Sequence, residues 1–456
     1  MNTATGATPV LPGRRVVITG VGPVTPIGIG ASAFWSALLE KRSGIRRVRA
    51  FDPSQFQSQI GGEIDGLSVG DYVPKSYRKA AKIMAHDIVL AVAAAHQVIT
   101  DAKLQTKCLI DRGEAQGAPN LDVTRFGANI GAGLICADLP ELAEGLHSAS
   151  TDGRFSFARW GTEGMNNLTP LWLLKFLPNM LACHVTIVHD AEGPSNTITC
   201  GEASSHLAIG EAFRTITRGA ADVCICGGAE SKANPMALLR QGLGRRLSRR
   251  NDAPEQACRP FAADRDGTVV SEGGGLVILE ALEHAQKRGA RIYAELVGFG
   301  AGHDAYAPAQ PSAPHPEGRG CAVAMRKALK DAGIAPPQVD LVASFACGLV
   351  EHDRSEAAAI RGVLGDRAAA VPVMNVKAGI GNNGAGSGAI DFIAAVLAVH
   401  YGTVPPAFNS TPMDPACGLK VIADGPVDIR VGYAVSTAYA LGGGQNAALV
   451  LKRFKE

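Results

Sequence analysis

The densest group of residues that could do chemistry lies in Gly193-Pro194-Ser195-Asn196-Thr197-Ile198-Thr199-Cys200-Gly201-Glu202-Ala203-Ser204-Ser205-His206. Thr197 to Thr199 are β-branched and predict a strand, and Gly201 predicts a turn. Leu207, Ala208, Ala212, Phe213 and Ile216 recur near helical spacing, so a helix is expected over 202–217 with Glu202 at its start. Tight strand-to-helix turns present nucleophiles, because free backbone N–H groups and the positive end of the helix dipole favour negative charge there. Here the turn presents a carboxylate. His206 lies four residues on, on the same helix face, so the two could act as general base and proton partner. The plainer reading is a carboxylate that the dipole stabilises by about 0.3 to 1 kcal/mol. Buried without a cation it would have a raised pKa, and the helix end would pull the other way. Cys200 and Cys347 are the alternative nucleophiles, although a free cysteine is more often a small core residue.

These residues need a scaffold, and the chain alternates strand and helix patterns along its length. Residues 15–18 read as a strand entering Thr19-Gly20-Val21-Gly22-Pro23-Val24-Thr25-Pro26. That run superficially resembles a dinucleotide loop, but Pro23 and Pro26 break the helix that should follow and no acidic residue stands about 20 positions on. Helices are expected over 31–39 and 75–101, the latter opening with Lys75, Arg78, Lys79 and Lys82. Residues 104–124 and 149–167 read as surface loops, and 221–230 as a buried strand. A second series follows, with strands over 292–298, 341–346, 431–435 and 447–451 and helices over 320–332, 354–364 and 388–400. The alternation predicts an α/β protein of two related halves.

Composition excludes several classes. With 456 residues, 46% hydrophobic and 19% charged, the chain can bury a large core. A formal charge of +2 carries no signature of nucleic-acid binding. The one dense basic run, Arg240, Arg245, Arg246, Arg249 and Arg250, reads as a solvated loop or a docking patch for an acidic partner. Residues 1–15 lack a secretion signal, and no apolar run of 18 or more occurs, so a cytoplasmic protein without membrane association is expected. The ten cysteines have no paired metal spacing, so reduced thiols and no metal site are expected, with Cys224 and Cys226 in the core.

The central stretch resembles the nucleophile elbow of the β-ketoacyl synthases, the elongating condensing enzymes of fatty acid and polyketide synthesis. In that family a cysteine stands seven residues after the serine of Gly-Pro-Ser; here the position is Glu202. The first strand and loop, the run from Cys258 to Gly275 and the loop Leu441-Gly442-Gly443-Gly444-Gln445-Asn446 are also similar to family segments, and the resemblance spans roughly 14–454. The first family histidine lies between Val-Asp and Asp-x-x-Glu. Val339-Asp340 and Asp353 to Glu356 fit without a gap and select Phe345, or Cys347 in a shifted register. The second follows Lys-x-x-x-Gly, and Lys377-Ala378-Gly379-Ile380-Gly381 selects Asn382.

The resemblance implies a thiolase-like fold, two related α/β halves in five layers, divided as 14–290 and 291–454, and no cofactor. In the family the thiol carries the acyl chain, and the two histidines stabilise the enolate or oxyanion and assist decarboxylation. All three positions are substituted here, while Lys377 matches. Asn382 can donate a hydrogen bond but cannot titrate near neutrality. That combination resembles the chain length factor, the non-condensing partner of an active ketosynthase, although that subunit commonly carries glutamine where Glu202 stands. What this implies is a heterodimer with an active ketosynthase paralogue, or a homodimer, paired through the strand before the elbow. Asn179, Met180 and Leu181 would bound an acyl tunnel, and Lys79, Lys82, Arg245 and Arg246 would dock an acyl carrier protein. The alternative is a stand-alone acyl-processing enzyme using Glu202 with His206, or Cys347.

Overall fold

Two strand sets with one pattern carry the chain in the computed structural model, which describes residues 13–305, 313–442 and 444–455. In the first, β1 (Val16–Thr25), β2 (Phe126–Ala132), β3 (Ser195–Ile198), β4 (Val223–Ser231) and β5 (Val270–Ala281) lie in the order β1-β5-β4-β2-β3. In the second, β6 (Ala294–His303), β7 (Leu341–Ala343), β8 (Pro372–Met374), β9 (Tyr433–Tyr439) and β10 (Gln445–Lys452) lie in the order β6-β10-β9-β7-β8. Each set is antiparallel over its first two pairings and parallel over its last two. The halves are joined where Val16 to Ile18 of β1 pair with Ala294 to Leu296 of β6.

The helices that bear on the site are, in chain order, α1 (His86–Asp101), α2 (Met180–His189), α3 (Ser204–Thr217), α4 (Pro235–Leu243), α5 (Arg319–Asp331), α6 (Val350–Leu364), α7 (Lys377–Ile380) and α8 (Ser387–Tyr401). One outer core packs α1 and α2 on the first sheet through Ile88, Ala91, Val185 and Ile130. The other packs α5 and α6 on the second through Met325, Ala328, Ile360 and Val342. Between the sheets α3 and α8 share the middle core, with Ile209, Ile216, Phe392 and Val396. The result is five layers: helix, sheet, helix, sheet, helix. Among the described residues, Gly384–Tyr401 is the one helical span long and apolar enough to cross a membrane. It is 89% buried in the middle layer, which accounts for its all-round apolarity.

Several elements differ from the sequence reading. β1 does not end at residue 18 but runs through Pro23, which pairs with Gly275. A Cβ on Gly22 would lie 2.5 Å from the Ala94 carbonyl oxygen, so this glycine serves close packing of α1 on the strand. The basic helix expected over 75–101 breaks into Lys75–Tyr77, Arg78–Ala81 and α1. The expected loops hold the helices Lys107–Arg112 and Phe157–Thr162 and the hairpin of Ser150–Thr151 with Arg154–Phe155. Beyond Ala343 the N–H of Ser344 still reaches Met374 O of β8 at 3.1 Å, but those of Phe345, Ala346 and Cys347 turn to carboxylates, and β7 ends.

Candidate functional site at the elbow

Glu202 sits in the turn between β3 and α3. The helix starts two residues later than expected, because Ser204 closes the turn: its Oγ accepts from Cys200 N at 2.8 Å and donates to Gly201 O at 2.6 Å. Gly201 takes a φ of 56°, which glycine adopts without strain. Glu202 is 4% exposed and is not alone in its burial. Lys232, just beyond β4 and 7% exposed, places its Nζ 2.7 Å from Glu202 Oε1. The other oxygen, Oε2, accepts from Leu441 N at 3.0 Å, and the Leu441 carbonyl accepts from Arg246 Nη2 at 3.0 Å. Burial works to raise the Glu202 pKa. The charge and hydrogen bond of Lys232, with the Leu441 N–H, outweigh it and bring the carboxyl to about 2. Glu202 is therefore a committed anion spanning the two halves, and the strongest group acting on it is an ammonium ion that no local pattern pairs with it. Glu230, at the end of β4, accepts from Ala385 N at 2.7 Å; burial raises its pKa against the pull of Lys232.

His206 does not meet Glu202. Its Nε2 is 2.9 Å from Ser436 Oγ, and its Nδ1 has no hydrogen-bond partner among the described residues. Burial, helped by the charge of Lys377 and opposed by Ser436, lowers its pKa to about 3. An unfolded chain takes up a proton near pH 6.5 that the folded chain refuses. The stability this contributes is full above about 6.5 and declines as pH falls towards about 3. The His206 ring resonances are accordingly expected to stay flat from pH 8 to about pH 5 by NMR; a titration near neutrality would contradict this environment.

The other candidate site residues converge across the halves. Phe345 is fully buried, edge-on to Tyr439 at 4.7 Å between centroids, with Lys377 Nζ 4.5 Å from its ring. Lys377, on α7, also pairs with Asp391 on α8, whose pKa burial raises to about 7 against the lysine's pull. The Asp-x-x-Glu spacing has a clear structural use. Glu356 accepts from Phe345 N at 2.9 Å and Ala346 N at 2.8 Å; Asp353 accepts from Cys347 N at 3.0 Å and Gly348 N at 3.2 Å. Arg265, itself buried, lies 3.4 Å from Asp353 and 3.0 Å from Asp414. Cys347 is fully buried, and burial with nearby Asp353 holds its thiol well above the ordinary range, so the thiolate needed for attack is disfavoured. Cys200 lies beyond β3, half-buried, its thiol also raised by burial. Asn382 spends its side-chain oxygen on Gly384 N at 3.0 Å and Ser387 Oγ at 3.1 Å. Next to it, the Nδ2 of buried Asn383 has no hydrogen-bond partner among the described residues. Of the glycine loop, Gly443 lies outside the described residues.

The structure sorts the other predicted residues differently. Leu181 is fully buried in the outer core of the first half, because α2 begins at Met180 and turns it inward. Met180 packs on the same core, and Asn179 is exposed. None of the three lines the cavity of about 510 Å³ at the elbow, which takes Pro178 instead. Lys79, Lys82 and Arg245 are exposed. Arg246 is half-buried and held by Leu441, so it faces inward rather than being a free surface charge. Lys232, Arg240 and Arg246 all line the elbow cavity.

A strand-turn-helix elbow set between two related halves defines the thiolase-like class of fold. Residues 13–285 match the β-ketoacyl synthase N-terminal domain and residues 293–411 the β-ketoacyl synthase C-terminal domain. The chain belongs to the β-ketoacyl synthase family, whose members act in fatty acid and type II polyketide synthesis. It is 35% identical over 442 residues to the 3-oxoacyl-(acyl-carrier-protein) synthase 2 of Synechocystis sp., covering 97% of this chain and 99% of that protein. It is 33% identical over 442 residues to the enzyme of the same name from Coxiella burnetii, covering 96% and 99%. Among solved structures, the ishigamide ketosynthase/chain length factor superposes with a TM-score of 0.81 at 28% identity, covering 97% of this chain and 100% of that one. A type II PKS acyl-carrier protein in complex with its ketosynthase bound to the hexaketide gives 0.82 at 27%, with the same coverage.

Proposed function

We propose that the chain is a non-condensing, chain-length-factor-like subunit that works beside an active ketosynthase. The observation that carries this reading is the Glu202–Lys232 ion pair, which fills the nucleophile's position with a carboxylate held ionised and hydrogen-bonded on both oxygens. A carboxylate so engaged is a poor nucleophile and, with its pKa at about 2, a weak base. Phe345 has no proton to give, and Asn382 offers only a hydrogen bond. On this reading the growing chain rides on the partner's thiol, and this subunit supplies tunnel wall and carrier-protein contacts through Lys79, Lys82 and Arg245. No cofactor or metal is called for. The competing reading, a stand-alone enzyme using Glu202 with His206 or Cys347, gains nothing from a histidine bonded elsewhere and a buried, protonated thiol.

Support for a partner comes from the edge of the first sheet. β3 is the last strand there, with Ser195 and Asn196 exposed, and an unpaired edge invites a second chain. Close by in sequence, Ile187 on α2 is 60% exposed although large and apolar. Ile187→Glu is expected to weaken the dimer at least about tenfold, since burying an unpaired charge at an interface costs more than about 1.4 kcal/mol. Sedimentation equilibrium at several concentrations, with and without a co-expressed ketosynthase, reads this; a dimer of unchanged strength would remove this face from the interface.

A further inference from the structure

Arg240 acts on the Glu230 carboxyl through its charge but does not hydrogen-bond to it. It lies half-buried on α4 and forms no ion pair among the described residues; the one acceptor its guanidinium reaches is the Cys136 sulfur, at 2.9 Å from Nη2. A guanidinium offers five N–H donors in a fork that matches a carboxylate, and a thiol is a weak acceptor. The arginine lines the elbow cavity of about 510 Å³ together with Lys232, Arg246, Gln241, Thr199 and the single acid Glu230.

The charges around that cavity do not cancel within it. Lys232 is matched by Glu202, which stands behind Gly201 rather than in the lining. Arg246 gives one N–H to the Leu441 carbonyl and another to Gln241 Oε1 at 3.4 Å, neither of them an anion. Glu230 is tucked against Gly133 and Gly384, where any added Cβ would collide with its carboxyl, and it already accepts from Ala385 N. Burial pushes its pKa up against the pull of Lys232 and Arg240. Two guanidinium groups thus face one cavity with a single acid, Glu230, in its lining. Ala132, Leu134 and Pro178 give the remainder of the wall an apolar character suited to a hydrocarbon stem.

We infer that this cavity binds a carboxylate on a short alkyl stem, with Arg240 as the principal anchor and Arg246 beside it. The carboxylate has two possible sources: a free organic acid, or the far end of an acyl chain delivered by a partner ketosynthase. Only the second source rests on the chain-length reading.

The first arm uses the isolated full chain. Hexanoate and 1-hexanol are titrated calorimetrically against wild type, Arg240→Met and Arg245→Met, with thermal unfolding confirming that each variant is folded. Hexanoate is expected to bind one-to-one, at least tenfold tighter than hexanol and more weakly as salt rises. It should lose at least tenfold in Arg240→Met and stay within threefold in Arg245→Met. Equal hexanoate binding by wild type and Arg240→Met, or equal binding of acid and alcohol, overturns the inference. The second arm pairs the chain with an active ketosynthase and compares octanoyl with 7-carboxyheptanoyl primers on the carrier protein. A preference for the carboxylated primer that Arg240→Met abolishes supports the acyl chain as source; no preference, with hexanoate binding intact, supports a free acid. A pair that makes no product with either primer counts against the chain-length reading, while the calorimetry still decides the carboxylate site.

Discussion

Lys232→Met is expected to destabilise the protein by about 3 to 5 kcal/mol, the usual cost of removing one partner from a buried ion pair. The substitution keeps most of the side-chain volume and removes the charge, leaving a carboxylate 4% exposed with the Leu441 N–H as its remaining donor. Replacing both partners, as Lys232→Met with Glu202→Gln, is expected to recover most of the loss, because a buried pair exchanged for neutral groups of similar size is often close to neutral. The pH dependence inverts with the single change. In the wild type, Glu202 has a folded pKa of about 2 against an ordinary value of 4.5. Its contribution is present above about 4.5 and is lost as pH falls from there through about 2. In Lys232→Met burial acts without the ammonium and raises the folded pKa. The variant's deficit should therefore shrink as pH is lowered from 7 to 5. Urea unfolding midpoints of the three proteins at both pH values read this; a single variant as stable as wild type would mean that the ion pair does not hold the elbow.

The second large effect is expected in product formation by the pair. Alanine at the partner's nucleophilic cysteine should abolish product, whereas Glu202→Gln in this chain should leave the rate within about threefold, since a held carboxylate takes no part in the chemistry. Glu202→Cys separates nucleophile from proton handling. A thiol at that position would face Lys232, which lowers thiol pKa values, so acylation of the new cysteine is expected. Condensation is not, because Phe345 and Asn382 cannot move protons, and the loss of such groups costs on the order of 10² to 10⁴ in rate. Acyl mass on the variant without extended product, by mass spectrometry and radiolabelled malonyl incorporation, is the expected pair of results. Turnover by Glu202→Cys alone would show that the second and third positions are not limiting.

The parts of this site that were legible in sequence are those encoded locally. Gly201 and the spacing of Leu207 to Ile216 mark the elbow, while Asp353 and Glu356 stand out only through the resemblance. Their use was not legible: both carboxylates hold the backbone of Phe345 to Gly348, a matter of which N–H groups lack a strand partner. No local pattern marks Lys232, which follows an apolar strand 30 positions from Glu202; only the parallel stacking of β2, β3 and β4 brings the two together. A lysine directly after a buried strand is the one signal that was available. Arg246 read as one surface charge in a basic run, while its Leu441 contact depends on the C-terminal half folding over the elbow. The resemblance alone points to Leu181, and its burial follows from α2 starting at Met180, which the sequence pattern does not mark. Alternation predicted two related halves, and the repeated strand order bears that out; the glycines of β1, read as the start of a loop, serve helix packing.

The most direct test of the central claim is intact mass spectrometry on both chains of a complex with an active ketosynthase, supplied with an acyl primer and malonyl groups on the carrier protein. Acyl mass is expected on the partner alone, product from the pair, and this chain at its unmodified mass throughout, since Glu202 is held by Lys232 and Leu441 and burial keeps the thiol of Cys347 well above its ordinary pKa. Acyl mass on this chain, or product formed by it without a partner, would contradict the account.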